Sequence, residues 1–242
     1  MKHTFRFLGT CEQTSTHKQE WVISGDEHHH LKKVLKLSVG DAVEVFDGKG
    51  SSASGELSFL DNKKALVSAT PLEKKEGKSH YSIAIGALKP GFIDDLLPSL
   101  TELGVDGVHI FLSAQVEKSR ISEKAINRWH KIILASVKQC KRNYLPEIKT
   151  WPDLQCMLDA FENQGTECIV LDASGTEPFL NHVSREAKHS MCAVVGGEKG
   201  FSEQELAMFS SRKLQCQKLG AHILRAYTAA IATASILSRH SC

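Results

Sequence analysis

The segment from Met191 to Leu237 (MCAVVGGEKGFSEQELAMFSSRKLQCQKLGAHILRAYTAAIATASIL) constrains the fold of this chain more than any other stretch. Met191–Val195 is an apolar run of the kind a strand covered on both faces requires. Gly196-Gly197-Glu198-Lys199-Gly200 follows at once. Ser202 then precedes Glu203-Gln204-Glu205, the Ser-x-x-Glu pattern of a capped helix start. Leu214–Leu219 predicts a second strand, closed by Gly220, and Ile223-Leu224-Arg225 leads into a helix carrying Ala229, Ala230, Ala232 and Ala234. Two strands therefore end in two glycine-marked loops, and each loop feeds a helix. In open α/β sheets, ligands bind beyond the carboxyl ends of the strands, where both loops fall.

The same alternation extends upstream to Tyr81. Ile83–Leu88 predicts a strand, broken by Lys89-Pro90-Gly91, and Phe92, Leu96, Leu100 and Leu103 recur at helix spacing before Gly104. Val108–Leu112 is the next strand, and Ser122–Lys141 a long helix with Ile126, Trp129, Ile133 and Val137 as its apolar stripe. A helix over Leu154–Phe161 and a strand over Cys168–Leu171 complete the set. The pattern predicts an α/β domain over 81–242, a mainly parallel sheet with helices on both faces.

Residues 1–70 read differently. Short strand-like segments (His3–Leu8, Trp21–Ser24, Ala42–Phe46, Ala53–Phe59 and Ala65–Ala69) are separated by turn-rich pieces, with one helical interruption at Asp26–Leu37. This predicts a small β-barrel. The charged, aperiodic stretch 71–80 (PLEKKEGKSH) reads as a linker.

Net charge is only +2, so any surface for a polyanion must be local. Seven cysteines without a C-x-x-C pair favour reduced thiols over a disulfide framework. No apolar run reaches the ~20 residues of a membrane span, and no signal-peptide core is present. A soluble, cytoplasmic protein is expected. His28-His29-His30 invites a metal reading, but adjacent helical residues point about 100° apart and cannot converge on one ion. The three read as a polar helix start, and no metal is expected.

Taken alone, Gly196–Gly200 is either a tight turn or a ligand loop. Neither G-x-G-x-x-G nor G-x-x-x-x-G-K-[ST] is present, and Glu198 disfavours an anion at the following helix start. A neutral or cationic ligand held through backbone groups fits better. S-adenosylmethionine, with a sulfonium and no phosphate, is such a ligand.

Val195-Gly196-Gly197-Glu198-Lys199-Gly200-Phe201-Ser202 with Glu205 resembles the IGPEGGFS…E loop of the RsmE family, 16S ribosomal RNA uridine-N3 methyltransferases of the SPOUT superfamily. Leu219-Gly220, Ile223-Leu224-Arg225 and Thr228-Ala229 are similar to its LGxRILRTETA segment. Residues 101–105 (TELGV) match its ELGV block, and Gln139-Cys140-Lys141-Arg142-Asn143 with Pro146-Glu147-Ile148 match its EQsgR…P.I block. His30, Val34, Leu35 and Lys36 match its N-terminal HxxxVLR motif. The resemblance thus spans nearly the whole chain.

The resemblance implies a PUA-like, RNA-binding barrel at 1–70 and a SPOUT methyltransferase domain whose C-terminal segment forms a trefoil knot, paired as a homodimer. It implies S-adenosylmethionine as cofactor, held by Leu171, Asp172, Gly196, Gly197, Glu198, Gly200, Phe201, Leu219, Gly220, Ile223, Leu224, Thr228 and Ala229. The implied reaction is methyl transfer to N3 of a uridine in 16S ribosomal RNA, within the small ribosomal subunit. Arg225 is the candidate catalytic residue, since a guanidinium stabilises an anionic uracil but cannot accept its proton. Arg6, His30, Lys33, Lys36 and Arg142 are candidate RNA contacts.

Departures from the family pattern cluster at the implied site. Ala226-Tyr227 replaces Thr-Glu, so a carboxylate is missing, and Tyr227 offers only a phenol with an ordinary pKa near ~10. Lys199 replaces a glycine, Gly197 a proline, and Lys138 a glutamate. Two alternatives therefore stand beside the enzyme: an RNA-binding or ribosome-assembly protein with a weakened or inactive site, and a SPOUT methyltransferase with a different RNA target.

Overall fold

Phe5–Leu8 (β1) and Thr10–Thr14 (β2) are separated by Gly9 alone, and that bend shapes the N-terminal body. β1 pairs in parallel with Ala42–Phe46 (β4), whereas β2 pairs antiparallel with Gln19–Ser24 (β3). Ser52–Leu60 (β5) and Lys64–Pro71 (β6) complete the order β1-β4-β5-β6-β3-β2. One bent strand therefore borders both ends of the sheet and curls it into a barrel-like form around Phe7, Trp21, Ile23, Leu31, Val45, Leu57 and Val67. Polar β2 gave no strand signal in the sequence. The predicted helix at Asp26–Leu37 is shorter: Gly25–His29 (α1) runs into a π-helical turn over His30–Val34, and Lys36 adopts φ +54°.

The computed structural model describes residues 4–14, 18–71, 77–113, 121–183 and 190–238. The chain divides into one unit of residues 1–78 with Val137–Leu145, and another of Ser79–Ser136 with Pro146–Cys242. Segment 137–145 thus groups with the N-terminal body although the sequence pattern leaves it in the α/β domain. Residues 72–76 of the expected linker lie outside the described residues.

From residue 81 the chain follows the predicted alternation: Tyr81–Gly86 (β7), Pro90–Glu102 (α2), Gly107–Phe111 (β8), Glu123–Cys140 (α3, whose last four residues group with the first unit), Glu147–Trp151 (β9), Leu154–Gln164 (α4) and Glu167–Leu171 (β10). Glu177–Pro178 (β11), Phe179–His182 (α5), Met191–Val195 (β12), Glu203–Ser211 (α6), Cys216–Lys218 (β13) and Ala226–Ser238 (α7) follow. All seven strands are parallel, in the order β11-β13-β10-β12-β7-β8-β9. β8 and β12 are buried at every residue, as central strands covered on both faces must be. From β12 the chain crosses β10 to form β13, then returns to lay α7 against α2, β7 and β12. The edge strand β9 was missed because Glu147, Lys149 and Thr150 alternate with only two apolar residues. β11 and α5 are too short to leave a periodic signal.

Candidate functional site

Strands β12 and β13 flank β10, with Leu171 opposite both Val195 and Gln217. Their carboxyl ends therefore release three loops side by side: 172–174, 196–201 and 219–225. The Asp172 amide donates to Gln217 O (2.9 Å), and Asp172 Oδ1 accepts from the Ser174 amide (2.9 Å) and hydroxyl (2.6 Å). The first loop is thus a turn fixed by its own carboxylate.

The second loop closes on itself through Gly200 N to Gly197 O (3.0 Å) and a Gly197–Gly200 bridge. Gly200 has φ +73°, a conformation that strains any residue with a Cβ. At Gly86, the end of β7, a Cβ would lie 2.6 Å from Gly197 N, so the loop rests directly on the neighbouring backbone. The predicted capping box fixes the loop's exit: Glu205 N donates to Ser202 Oγ (3.2 Å), and Ser202 N donates to Glu205 Oε2 (2.7 Å). Ser113 Oγ also donates to that buried carboxylate (3.1 Å).

The three loops and the first turn of α7 enclose a cleft of about 330 Å³. Of the predicted cofactor residues, Leu171, Asp172, Gly196, Gly197, Glu198, Gly200, Leu219, Gly220, Ile223, Leu224 and Ala229 line it, and Arg225 lines it as well. Two do not. Phe201 is buried beneath the glycine loop, packed edge-on against Phe209 at 5.0 Å, and supports the loop from the core. Thr228 is exposed on α7 and does not line the cleft. Tyr227 is not in the cleft either, since its hydroxyl donates to Asp95 O (3.3 Å) on α2. Lys218 and His222 line the cleft without having been singled out. The signal was available for His222, which occupies the position that the LGxRILR segment gives to arginine.

The lining combines the carboxylates Asp172 and Glu198 with Lys199, Lys218 and Arg225 over walls of Leu171, Val195, Leu219 and Ala229. A larger cleft of about 830 Å³ opens near the ends of β8 and β9. It holds Glu123, Asp153 and Glu205 and none of the predicted site residues. Its acidic lining makes it a poor host for a polyanion.

The predicted RNA contacts on the N-terminal body fall into two groups. Lys33 and Lys36 are exposed and His30 is half-buried. Arg6 is a correction: its side chain is 5% exposed and its guanidinium is consumed within the body. Nη1 donates to the carbonyls of Val137 (3.1 Å) and Arg142 (2.6 Å), Nη2 donates to Asn143 Oδ1, and Nε lies 2.8 Å from Glu44 Oε1. The group also stacks on Phe46, 4.3 Å from the ring centroid. Arg142 is half-buried, with its carbonyl held by Arg6. The histidine triplet separates in space: His28 is buried with Nε2 3.2 Å from Asp61 O, while His29 is exposed. Among the described residues no group of His, Cys, Asp and Glu is arranged to hold a metal ion.

The profile of a family described as RNA methyltransferase domain matches residues 75–238. The chain belongs to the RNA methyltransferase family. A second profile, RNA methyltransferase PUA domain, matches residues 23–69 of this methyltransferase. It is 26% identical to ribosomal RNA small subunit methyltransferase E of Bacillus subtilis (strain 168), over 96% of this chain and 94% of the relative. To the Synechocystis protein of the same name it is 25% identical, over 83% of this chain and 67% of the relative. Among solved structures it resembles ribosomal RNA small subunit methyltransferase E from Neisseria gonorrhoeae bound to S-adenosyl methionine. That likeness has a TM-score of 0.77 at 22% identity, covering 96% of each chain, and speaks to the fold. The α/β methyltransferase with an N-terminal PUA domain, expected from the motifs, is the observed architecture.

Proposed function

We propose that the methyltransferase transfers a methyl group from S-adenosylmethionine to N3 of a uridine in 16S ribosomal RNA. The observation that carries this reading is the convergence of three strand-end loops and Arg225 on one cleft. The residues present fit the cofactor. A Cβ at Gly200 or at Gly220 would meet nothing within 4 Å, so both glycines border open space rather than protein. The cleft volume also lies at the small-molecule scale of ~300–1,000 Å³. When bound, the cofactor supplies an electrophilic methyl on a cationic sulfur.

The chain's own residues do the rest. Backbone groups of the 196–200 loop are fixed by the Gly197–Gly200 turn and need no reorganisation to receive a ligand. Leu171, Leu219 and Ala229 exclude water from one side. Uracil N3 is protonated and weakly nucleophilic, so the reaction needs the uracilate form held in line with the methyl group. Arg225, exposed at the start of α7, is placed to hold negative charge on a uracil carbonyl oxygen. Tyr227 does not replace the missing carboxylate, because its hydroxyl is turned onto α2.

The reading extends to a homodimer in the cytoplasm acting on the small subunit, and to a trefoil knot formed where the chain returns from β13 to α7. The return path across β10 supports the knot, and the PUA domain supports an RNA substrate. Arg225→Ala should lower turnover by roughly two orders of magnitude while leaving cofactor affinity nearly unchanged. Single-turnover methylation of small subunits, with mass spectrometry of the RNA and calorimetry with S-adenosylmethionine, tests this. Absence of cofactor binding by the unaltered protein would instead favour an RNA-binding protein with an inactive site. An unchanged 3-methyluridine level in a deletion strain would point to a different RNA target.

A further inference from the structure

On the N-terminal body, three lysines distant in sequence sit on segments that meet at Tyr144. Lys49 lies in the turn between β4 and β5, Lys78 follows β6, and Lys141 opens the loop after α3. That loop is fastened to the turn by main-chain bonds: Gly50 N donates to Asn143 O (3.1 Å) and Leu145 N donates to Gly48 O (3.0 Å). Lys49 pairs with Tyr144 through an antiparallel bridge, and Lys78 Nζ sits 6.0 Å from the Tyr144 ring centroid. Lys141, three positions before Tyr144, takes φ +61° and turns the chain out of α3. Arg6 holds the loop from inside through Arg142 O and Asn143.

All three lysines are exposed, and none forms an ion pair among the described residues. Of the acids in this body, Glu44 faces Arg6, and Glu27 binds Lys138 at 3.0 Å. Asp47 spends Oδ1 on the amides of Lys49 (2.7 Å) and Ser51 (2.9 Å), which fixes the turn. Three exposed cations thus lie on segments that meet at a half-buried tyrosine, two of them on a turn and a loop bonded to each other.

We propose that Lys49, Lys78 and Lys141, set around Tyr144, form a docking surface for RNA phosphates. Ammonium groups on exposed loops engage backbone charge and not base identity, so the contact holds the RNA without reading its sequence. An acidic protein partner fits less well, because protein interfaces centre on an apolar anchor. Tyr144 is half-buried, with Lys78 over its ring. The assignment rests on the reading that the chain acts on RNA.

The test compares the full-length protein with the K49Q/K78Q/K141Q variant by fluorescence anisotropy on a labelled RNA duplex, across roughly 50 to 300 mM KCl. Each lost phosphate contact removes about 0.7 to 0.9 from the slope of log affinity against log salt, so the variant's slope should be shallower by about 2 to 3. Calorimetry with S-adenosylmethionine should show unchanged cofactor binding, and the K49R/K78R/K141R variant should restore the slope. Equal slopes for the original protein and the glutamine variant would overturn the docking surface while leaving RNA binding intact. Tighter binding of polyglutamate than of RNA of equal charge would also overturn it, in favour of an acidic protein. A protein that binds no RNA even at low salt would overturn the underlying RNA reading as well.

Discussion

His109 on β8 makes the stability of the α/β unit sensitive to acid. The ring is 8% exposed, meets the edge of Phe161 at 4.8 Å, and accepts a hydrogen bond from Trp151 Nε1 at Nδ1 (3.3 Å). An indole nitrogen only donates, so Nδ1 must be the unprotonated nitrogen and the ring neutral. Burial first, and then the nearby Lys149 ammonium, push its pKa down from 6.5 to about 4. A depressed value for a base means that the unfolded chain binds the proton more readily. Stability contributed by the neutral ring is therefore complete above pH 6.5 and falls as pH drops toward 4. At about 1.4 kcal/mol per pH unit across that window, the loss is bounded at about 3.5 kcal/mol. Urea denaturation of the protein and of His109→Gln, at several values between pH 7 and pH 4, isolates this contribution. Glutamine keeps an acceptor for Trp151 but cannot titrate, so the two stability curves should converge as the medium is acidified. Curves that stay parallel would falsify the account of a neutral, buried ring.

Two further outcomes follow from the geometry. Arg6→Met removes a buried cation from Glu44 and from two carbonyls, and should cost about 3–5 kcal/mol in urea denaturation followed by Trp21 fluorescence. Adding Glu44→Gln should recover part of it, and a loss below about 1 kcal/mol would contradict the clamp. Gly86→Ala drives a methyl group into Gly197 N at 2.6 Å, so the glycine loop must shift. Calorimetry should show S-adenosylmethionine affinity falling at least about tenfold, the equivalent of 1.4 kcal/mol, and unchanged affinity would detach that loop from the ligand.

The cleft was legible in the sequence because its loops carry local signals: two apolar strands, a glycine cluster, and a Ser-x-x-Glu start that became the observed capping box. Apolar periodicity likewise located α2, α3, α4 and the central strands. What local pattern does not encode is the company each side chain keeps. Phe201 sits beside the glycines in sequence, yet the edge contact with Phe209 takes it into the core. Arg6 reads as a surface cation until the 137–145 segment, more than a hundred residues away, closes over it. Tyr227 stands where the family has a carboxylate, but α2 captures its hydroxyl. Each miss is a long-range contact overriding a local expectation.

The bend at Gly9 has a consequence for how these molecules behave when crowded. By splitting one strand between two neighbours, it leaves the N-terminal sheet with terminal strands of only 4 and 5 residues. The parallel sheet ends similarly, in a two-residue strand on one side and on the other in β9, which displays Glu147 and Lys149. Stubby or charged margins are poor templates for the unpaired backbone of another copy. A side chain at position 9 would press within 3.0 Å of Val22 O. Straightening that corner would lengthen the open margin, so one glycine guards this sheet against edge-to-edge pairing with another copy.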